Sequence, residues 1–275
     1  MMMKQQFALC AGAAVAFAVS GASANAGLYL WGGSGPNVIF EVDTTIPDGV
    51  NPLVTDRTNA VAGFEYGLGA FYAASTNNNS DLFVINPGTG LTTSTITMTF
   101  PGGGDVITSM DFVGNTLYGG FTTEGGGGAS SLVTIDTTTG LVSMVGAMGI
   151  NNPTGGLTFG NGNLYTVNAG GSGAAILYTV SLITGLATPV GPVTDATGAP
   201  VTLTGLEFGT DGILYGLGRR PNDDMLFSID PATGAAVNLG LMASVSSTTS
   251  LTAIPAPASG LLLALGGLCA ARRRR

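Results

Sequence analysis

One unit of about forty-seven residues recurs along this chain, and a chain built that way buries its apolar residues by packing copies of the unit against one another. A Leu-Tyr or Phe-Tyr pair marks each copy: Leu28-Tyr29, Phe71-Tyr72, Leu117-Tyr118, Leu164-Tyr165 and Leu214-Tyr215. Successive tyrosines lie 43, 46, 47 and 50 residues apart. A turn segment follows each of the last four pairs, at residues 85–90, 135–140, 180–185 and 229–234, and all four end in Thr-Gly. A third landmark precedes these pairs: Phe64-Glu65-Tyr66, Met110-Asp111-Phe112, Leu157-Thr158-Phe159 and Leu206-Glu207-Phe208.

Each copy reads as four short strands. In the fourth full copy these are residues 203–208, 213–217, 225–229 and 235–239. The stretch Asp230-Pro231-Ala232-Thr233-Gly234 between the last two carries turn chemistry throughout. Proline sets φ, aspartate bonds the backbone ahead of it, and glycine accepts the left-handed conformation that closes a hairpin. No apolar stripe of helical period is present, and Thr, Val and Tyr favour strands. Four antiparallel strands in a unit of this length predict an all-β fold, a β-propeller blade repeated around an axis. The first copy lacks an opening strand, since residues 28–31 and 38–42 supply only the second and third. Residues 250–254, Ser-Leu-Thr-Ala-Ile, match an opening strand with nothing after it. Pairing the two ends predicts five four-stranded blades in a closed ring with no open seam of edge strands. The competing architecture is a solenoid of stacked β units.

Charge and composition narrow the chemistry. Residues 27–254 hold three basic residues, Arg57, Arg219 and Arg220, against all sixteen carboxylates, a net charge of −13. Such a surface repels phosphate backbones and disfavours nucleic acid. There is no histidine in the chain, and the two cysteines, Cys10 and Cys269, lie outside this stretch. The commonest general base, the commonest zinc ligands and any disulfide are thereby removed from the domain.

Aligning the opening strands gives the sharpest constellation. Glu65, Asp111, Thr158, Glu207 and, in the closing strand, Thr252 occupy one equivalent position. In a propeller the innermost strands surround the channel, so these five groups are expected to form a ring. Three carboxylates and two hydroxyls are hard oxygen ligands of the kind Ca²⁺ accepts. Paired carboxylates also supply glycosidase acid and base, and five-bladed propellers include glycoside hydrolases with an acidic triad. Against both stands a structural use, in which each side chain simply bonds a neighbouring backbone N–H. Amide- and hydroxyl-rich loops (residues 75–81, 123–131, 168–174 and 218–224, with the blade links 56–60, 101–105, 149–155 and 194–200) suit carbohydrate or plain solvation. The repeated tyrosines are expected in the core.

The two ends address the protein. Lys4 and the apolar run 7–19, followed by Ala24-Asn25-Ala26, read as a secretory signal over residues 1–26 with cleavage after Ala26. After residue 254 come Pro255-Ala256-Pro257, an uncharged run 260–271, and Arg272, Arg273, Arg274 and Arg275. Four cations beside an apolar segment remain on the cytoplasmic side and leave the preceding domain outside. Residues 255–275 resemble the PEP-CTERM sorting signal of Gram-negative-type bacteria, with Pro-Ala-Pro where that family shows Pro-Glu-Pro. The resemblance implies the export machinery and an exosortase-type membrane protease as partners. It also implies transient inner-membrane anchoring, then a place at the cell surface or outside the cell. Together these features predict an exported structural or binding propeller of the surface or matrix, directed towards polysaccharide. The alternative is a secreted hydrolase working through Glu65, Asp111 and Glu207. No organic cofactor is expected.

Overall fold

The computed structural model describes residues 27–32, 38–47, 50–57, 61–76, 81–101, 105–123, 129–151, 156–168, 173–220, 223–242 and 248–255. Residues 1–26, which read as a secretory signal in the sequence, Pro257, the four terminal arginines and part of each loop joining second and third strands lie outside the described residues. Every regular element among the described residues is a strand.

Five antiparallel sheets make five blades. The first contains β1 (Gly27–Gly32), β2 (Val38–Val42) and β3 (Val50–Val54). The second is β4 (Val61–Gly67), β5 (Ala70–Ser75), β6 (Asp81–Ile85) and β7 (Thr92–Thr97). The third is β8 (Asp105–Val113), β9 (Thr116–Thr123), β10 (Ala129–Ile135) and β11 (Val142–Asn151). The fourth is β12 (Leu157–Gly160), β13 (Asn163–Val167), β14 (Ile176–Val180) and β15 (Ala187–Pro192). After a short β16 (Thr194–Asp195), the fifth is β17 (Thr202–Phe208), β18 (Leu214–Arg220), β19 (Asp223–Ile229) and β20 (Ala235–Leu241). The last strand, β21 (Thr248–Ile254), returns to the first blade. It pairs antiparallel with β1, placing Gly27 opposite Ile254, Tyr29 opposite Thr252 and Leu30 opposite Leu251. The opening strands touch in the order β21, β4, β8, β12, β17 and back to β21. The ring is therefore closed by the two chain ends, and the solenoid is excluded.

The apolar core is divided among the blade interfaces. One cluster joins Trp31 and Ile39 of the first blade to Phe64 and Phe71 of the second. Tyr72 and Leu82 meet Ile107 and Leu117, and Leu132 and Met148 meet Leu157 and Leu164. Tyr165 and Leu177 meet Leu203 and Phe227, and Leu217 and Leu226 meet Leu28 and Leu251. Each blade is thus apolar on both faces, and no blade can bury its core without two neighbours. The repeated tyrosines belong to these clusters, with Tyr118 half-buried and the others buried.

The Thr-Gly turns do more than close hairpins. Gly90, Gly140, Gly185 and Gly234 all have positive φ, between 72° and 82°. Each also presses on the outer strand of the preceding blade. A Cβ would lie 2.5 Å from the Val54 carbonyl at Gly90, and 2.4 Å from those of Thr97 and Gly146 at Gly140 and Gly185. The contact continues as backbone pairing, with Thr99 N–H donating to the Gly140 carbonyl at 2.9 Å and Val142 N–H to the Thr99 carbonyl at 3.0 Å. Two of the blade links, read from the sequence as suiting carbohydrate or plain solvation, are instead drawn partly into strands. Residues 149–151 extend β11, and β16 pairs parallel with the start of β20.

Candidate functional site

The ring forms where the aligned opening strands place it. Glu65, Asp111, Thr158, Glu207 and Thr252 are the cross-strand partners of Tyr72, Tyr118, Tyr165, Tyr215 and Tyr29 respectively. Each ring residue therefore shares a blade face with the tyrosine that marks its repeat. All five are buried, Glu65 at 3%, Asp111 at 5% and Glu207 at 6% exposure, and both threonines at 0%.

Four of the five side chains accept a hydrogen bond from the next blade around the ring, always from the residue just after that blade's own ring position. Tyr66 N–H donates to Thr252 Oγ1 at 2.8 Å, and Phe208 N–H to Thr158 Oγ1 at 2.9 Å. Phe159 N–H donates to Asp111 Oδ2, and Ala253 N–H to the Glu207 carboxylate. The step from the second blade to the third departs from this pattern, because Phe112 N–H turns to the carboxylate of Asp111 beside it. Thr252 and Thr158 bond the carboxylates of Glu65 and Glu207 as well. Each hydroxyl thus links a backbone donor on one side to an acid on the other. This stitching is the structural use that the sequence offered, and it explains why a polar residue recurs at the most enclosed position of every blade.

Stitching does not account for the whole ring. One ligand oxygen each from Glu65, Asp111 and Glu207 lies within 4.8 Å of the other two. Glu65 Oε2 and Glu207 Oε2 are buried and accept no hydrogen bond from the described residues. Burial pushes the Asp111 carboxyl up to about 8 against the pull of the Phe159 and Phe112 N–H groups. Glu65 is driven well above the usual carboxylate range, first by burial and then by the charges of Glu207 and Asp111. Glu207 is raised likewise, by burial and then by Asp111. Three acids this close in a low-dielectric setting cannot all be ionised without a compensating charge. Thr158 and Thr252, the two hydroxyls aligned with them, remain engaged in stitching.

A second feature escaped the sequence. A shallow cavity of about 350 Å³ opens at the turn end of the third blade, lined by Asn115, Thr116, Thr134, Asp136, Thr137, Leu141 and Ser143, among others. The Asp136 carboxylate there is already used by its own turn, accepting from Thr138 N–H at 2.8 Å and Thr139 N–H at 3.0 Å. Those bonds hold it below its ordinary pKa. No sequence signal marked this hollow, since its residues come from the generic turn positions of the repeat.

Ring and blades define the class: the chain is a five-bladed β-propeller. No family model matches it, and no curated protein matches it. Among solved structures it is similar to TolB from Acinetobacter baumannii, at 12% identity and TM-score 0.50, over 83% of this chain and 67% of that one. It is similar to a protein of unknown function from Bacteroides caccae, at 12% identity and TM-score 0.50, over 84% and 99% of the two chains. A GH43 glycoside hydrolase aligns at 12% identity and TM-score 0.49, over 66% of this chain and 40% of its own. At such identities the likeness is one of fold.

Proposed function

We propose that this protein is an exported propeller, displayed at or released from the bacterial envelope, with a structural or binding role directed towards extracellular polysaccharide. The observation that carries the choice against a hydrolase is the enclosure of the carboxylates. A glycosidase acid and its partner must flank a sugar and admit water between them. Glu65, Asp111 and Glu207 are instead sealed at 6% exposure or less, and the bonds to Phe159 and Ala253 tie two of them to backbone. What favours export is the pair of end segments, together with a domain that uses neither cysteine nor histidine.

The ring geometry adds an orientation to this reading. Gly27 and Ile254 are paired partners, so both ends of the described domain leave at one place. By equivalence with the other blades, that place is the turn between first and second strands, on the side that also carries the Thr-Gly turns. A C-terminal segment in the membrane therefore turns this side towards the bilayer. The opposite side, where second and third strands are joined by the longer loops, faces away and is the binding surface. Binding of the exported protein to a glycan array, alongside release of reducing sugar from the same glycans, tests the proposal. Retention on a defined polysaccharide without hydrolysis is expected. Turnover abolished by Glu207→Gln would establish the hydrolase instead.

A further inference from the structure

We propose that Glu65, Asp111 and Glu207 together form a calcium site that ties the second, third and fifth blades across the propeller axis. Geometry is the first ground. Three oxygens no more than 4.8 Å apart leave a point within about 2.8 Å of them all, close to the 2.3–2.6 Å of calcium–oxygen bonds. Magnesium, at about 2.0–2.1 Å with a strict octahedron, would require the ring to contract.

The second ground is independent of the clustering. Glu65 Oε2 and Glu207 Oε2 are buried atoms without a hydrogen-bond donor among the described residues, although their neighbours in the ring are satisfied by threonine or backbone. A buried acceptor left unpaired costs the full desolvation of that group, more so when charged. A cation among these oxygens removes that cost and the mutual repulsion at once. The side-chain cation Arg57 is committed elsewhere, 3.2 Å from Asp56 and stacked 4.6 Å over the Phe83 ring. The donors are carboxylates in a domain without histidine or cysteine, which selects a hard cation over zinc or copper.

The consequence is mechanical. The opening strands pack chiefly against their neighbours around the ring, whereas one ion would join three of them directly, including the non-adjacent fifth and second. Calcium would then complete the closure that the first blade makes with its two chain ends.

The exported protein, stripped with EGTA, is dialysed against radioactive calcium and then melted with and without millimolar calcium. One ion per chain is expected, with a higher Tm in calcium and magnesium binding at least tenfold weaker. Glu207→Gln and Glu65→Gln keep the side-chain shape and should each weaken calcium at least tenfold, while Asp136→Asn on the exposed turn should leave it unchanged. Should one of the glutamine variants fail to fold, the other gives the same reading. No bound calcium with identical melting in both buffers would overturn the proposal. So would calcium binding that survives both glutamine substitutions, and equal binding of magnesium would overturn the choice of ion.

Discussion

Two populations of carboxylates in this protein respond to acid in opposite senses. Asp136 and Asp230 accept backbone N–H bonds within their turns and are held below their ordinary value of 3.8. Their folded pKa is depressed, so the stability they lend is full above the ordinary value and is lost as pH falls below it through the lower folded one. Asp111 is pushed from 3.8 up to about 8, chiefly by burial, and Glu65 and Glu207 are raised with it. A raised acid contributes stability that is full below its unfolded pKa and lost as pH climbs towards the folded one. Among the described residues the charged groups facing each of these three acids are the other two, with Thr158 and Thr252 as neutral neighbours, and no described cationic side chain reverses the sign. In chelator, Tm is therefore expected to peak near pH 4 to 5 and to fall steadily towards pH 8. A pH series of thermal melts in EGTA checks this, and a stripped protein more stable at pH 8 than at pH 5 contradicts it. Glu207→Gln should flatten the alkaline decline, because one repelling charge is gone.

The blade is the scale at which sequence and structure agree most closely, and the seam between blades is where they part. Strand positions were legible because each strand recurs: residues 38–42 coincide with β2, and residues 203–208 differ from β17 by one residue. The candidate ring was legible for the same reason, since alignment of repeats is alignment of positions around an axis. Which of its members converge was not legible, because that depends on how far each side chain reaches into the channel. Nor was the donor to each side chain, an N–H on the next blade that lies 50 residues away for Thr158 and Phe208 and 186 for Thr252 and Tyr66. The turn glycines were read through local φ alone, and their pressure on the preceding blade is a tertiary fact. Substitutions can separate these two demands. Gly114 has φ of 64° with nothing near its missing Cβ, whereas Gly140 combines φ of 74° with a carbonyl 2.4 Å away. Gly114→Ala should cost about 1–2 kcal/mol for the left-handed conformation alone. Gly140→Ala should cost about 1–3 kcal/mol more, because the third blade must then move off the second. Urea unfolding of both variants measures the difference, and equal losses would mean that the seam yields freely.

For the whole molecule, stability and orientation both follow from closing the ring with the chain ends. Leu251 is 2% exposed and packs with Leu28, Leu30, Leu217 and Leu226 at the interface of the fifth and first blades. Leu251→Ala should cost about 2–5 kcal/mol. Removing residues 248–254 would leave β1 as an open edge and produce aggregates by light scattering. The same closure fixes which way the domain faces when its C-terminal segment is retained. Five residues, 255–259, separate Ile254 from the uncharged run, a reach of about 17 Å at full extension. If that run is held in the bilayer, as proposed, so short a tether places the side bearing Ile254 nearest the lipid. Ala129 and Thr138 provide the comparison, because both are exposed and they flank the two ends of β10. Thr138 lies on the turn side with the chain ends, and Ala129 on the opposite side. The domain has no cysteine of its own, so with Cys10→Ser and Cys269→Ser a single fluorophore can be placed at Thr138→Cys or Ala129→Cys. In liposomes carrying a headgroup-attached quencher, the label at position 138 should be quenched more strongly than the label at 129. Cutting the chain after Pro257 should release both labels from the lipid and make them indistinguishable. Stronger quenching at 129 would mean that the domain hangs with its long loops towards the membrane, leaving the turn side as the surface that meets polysaccharide.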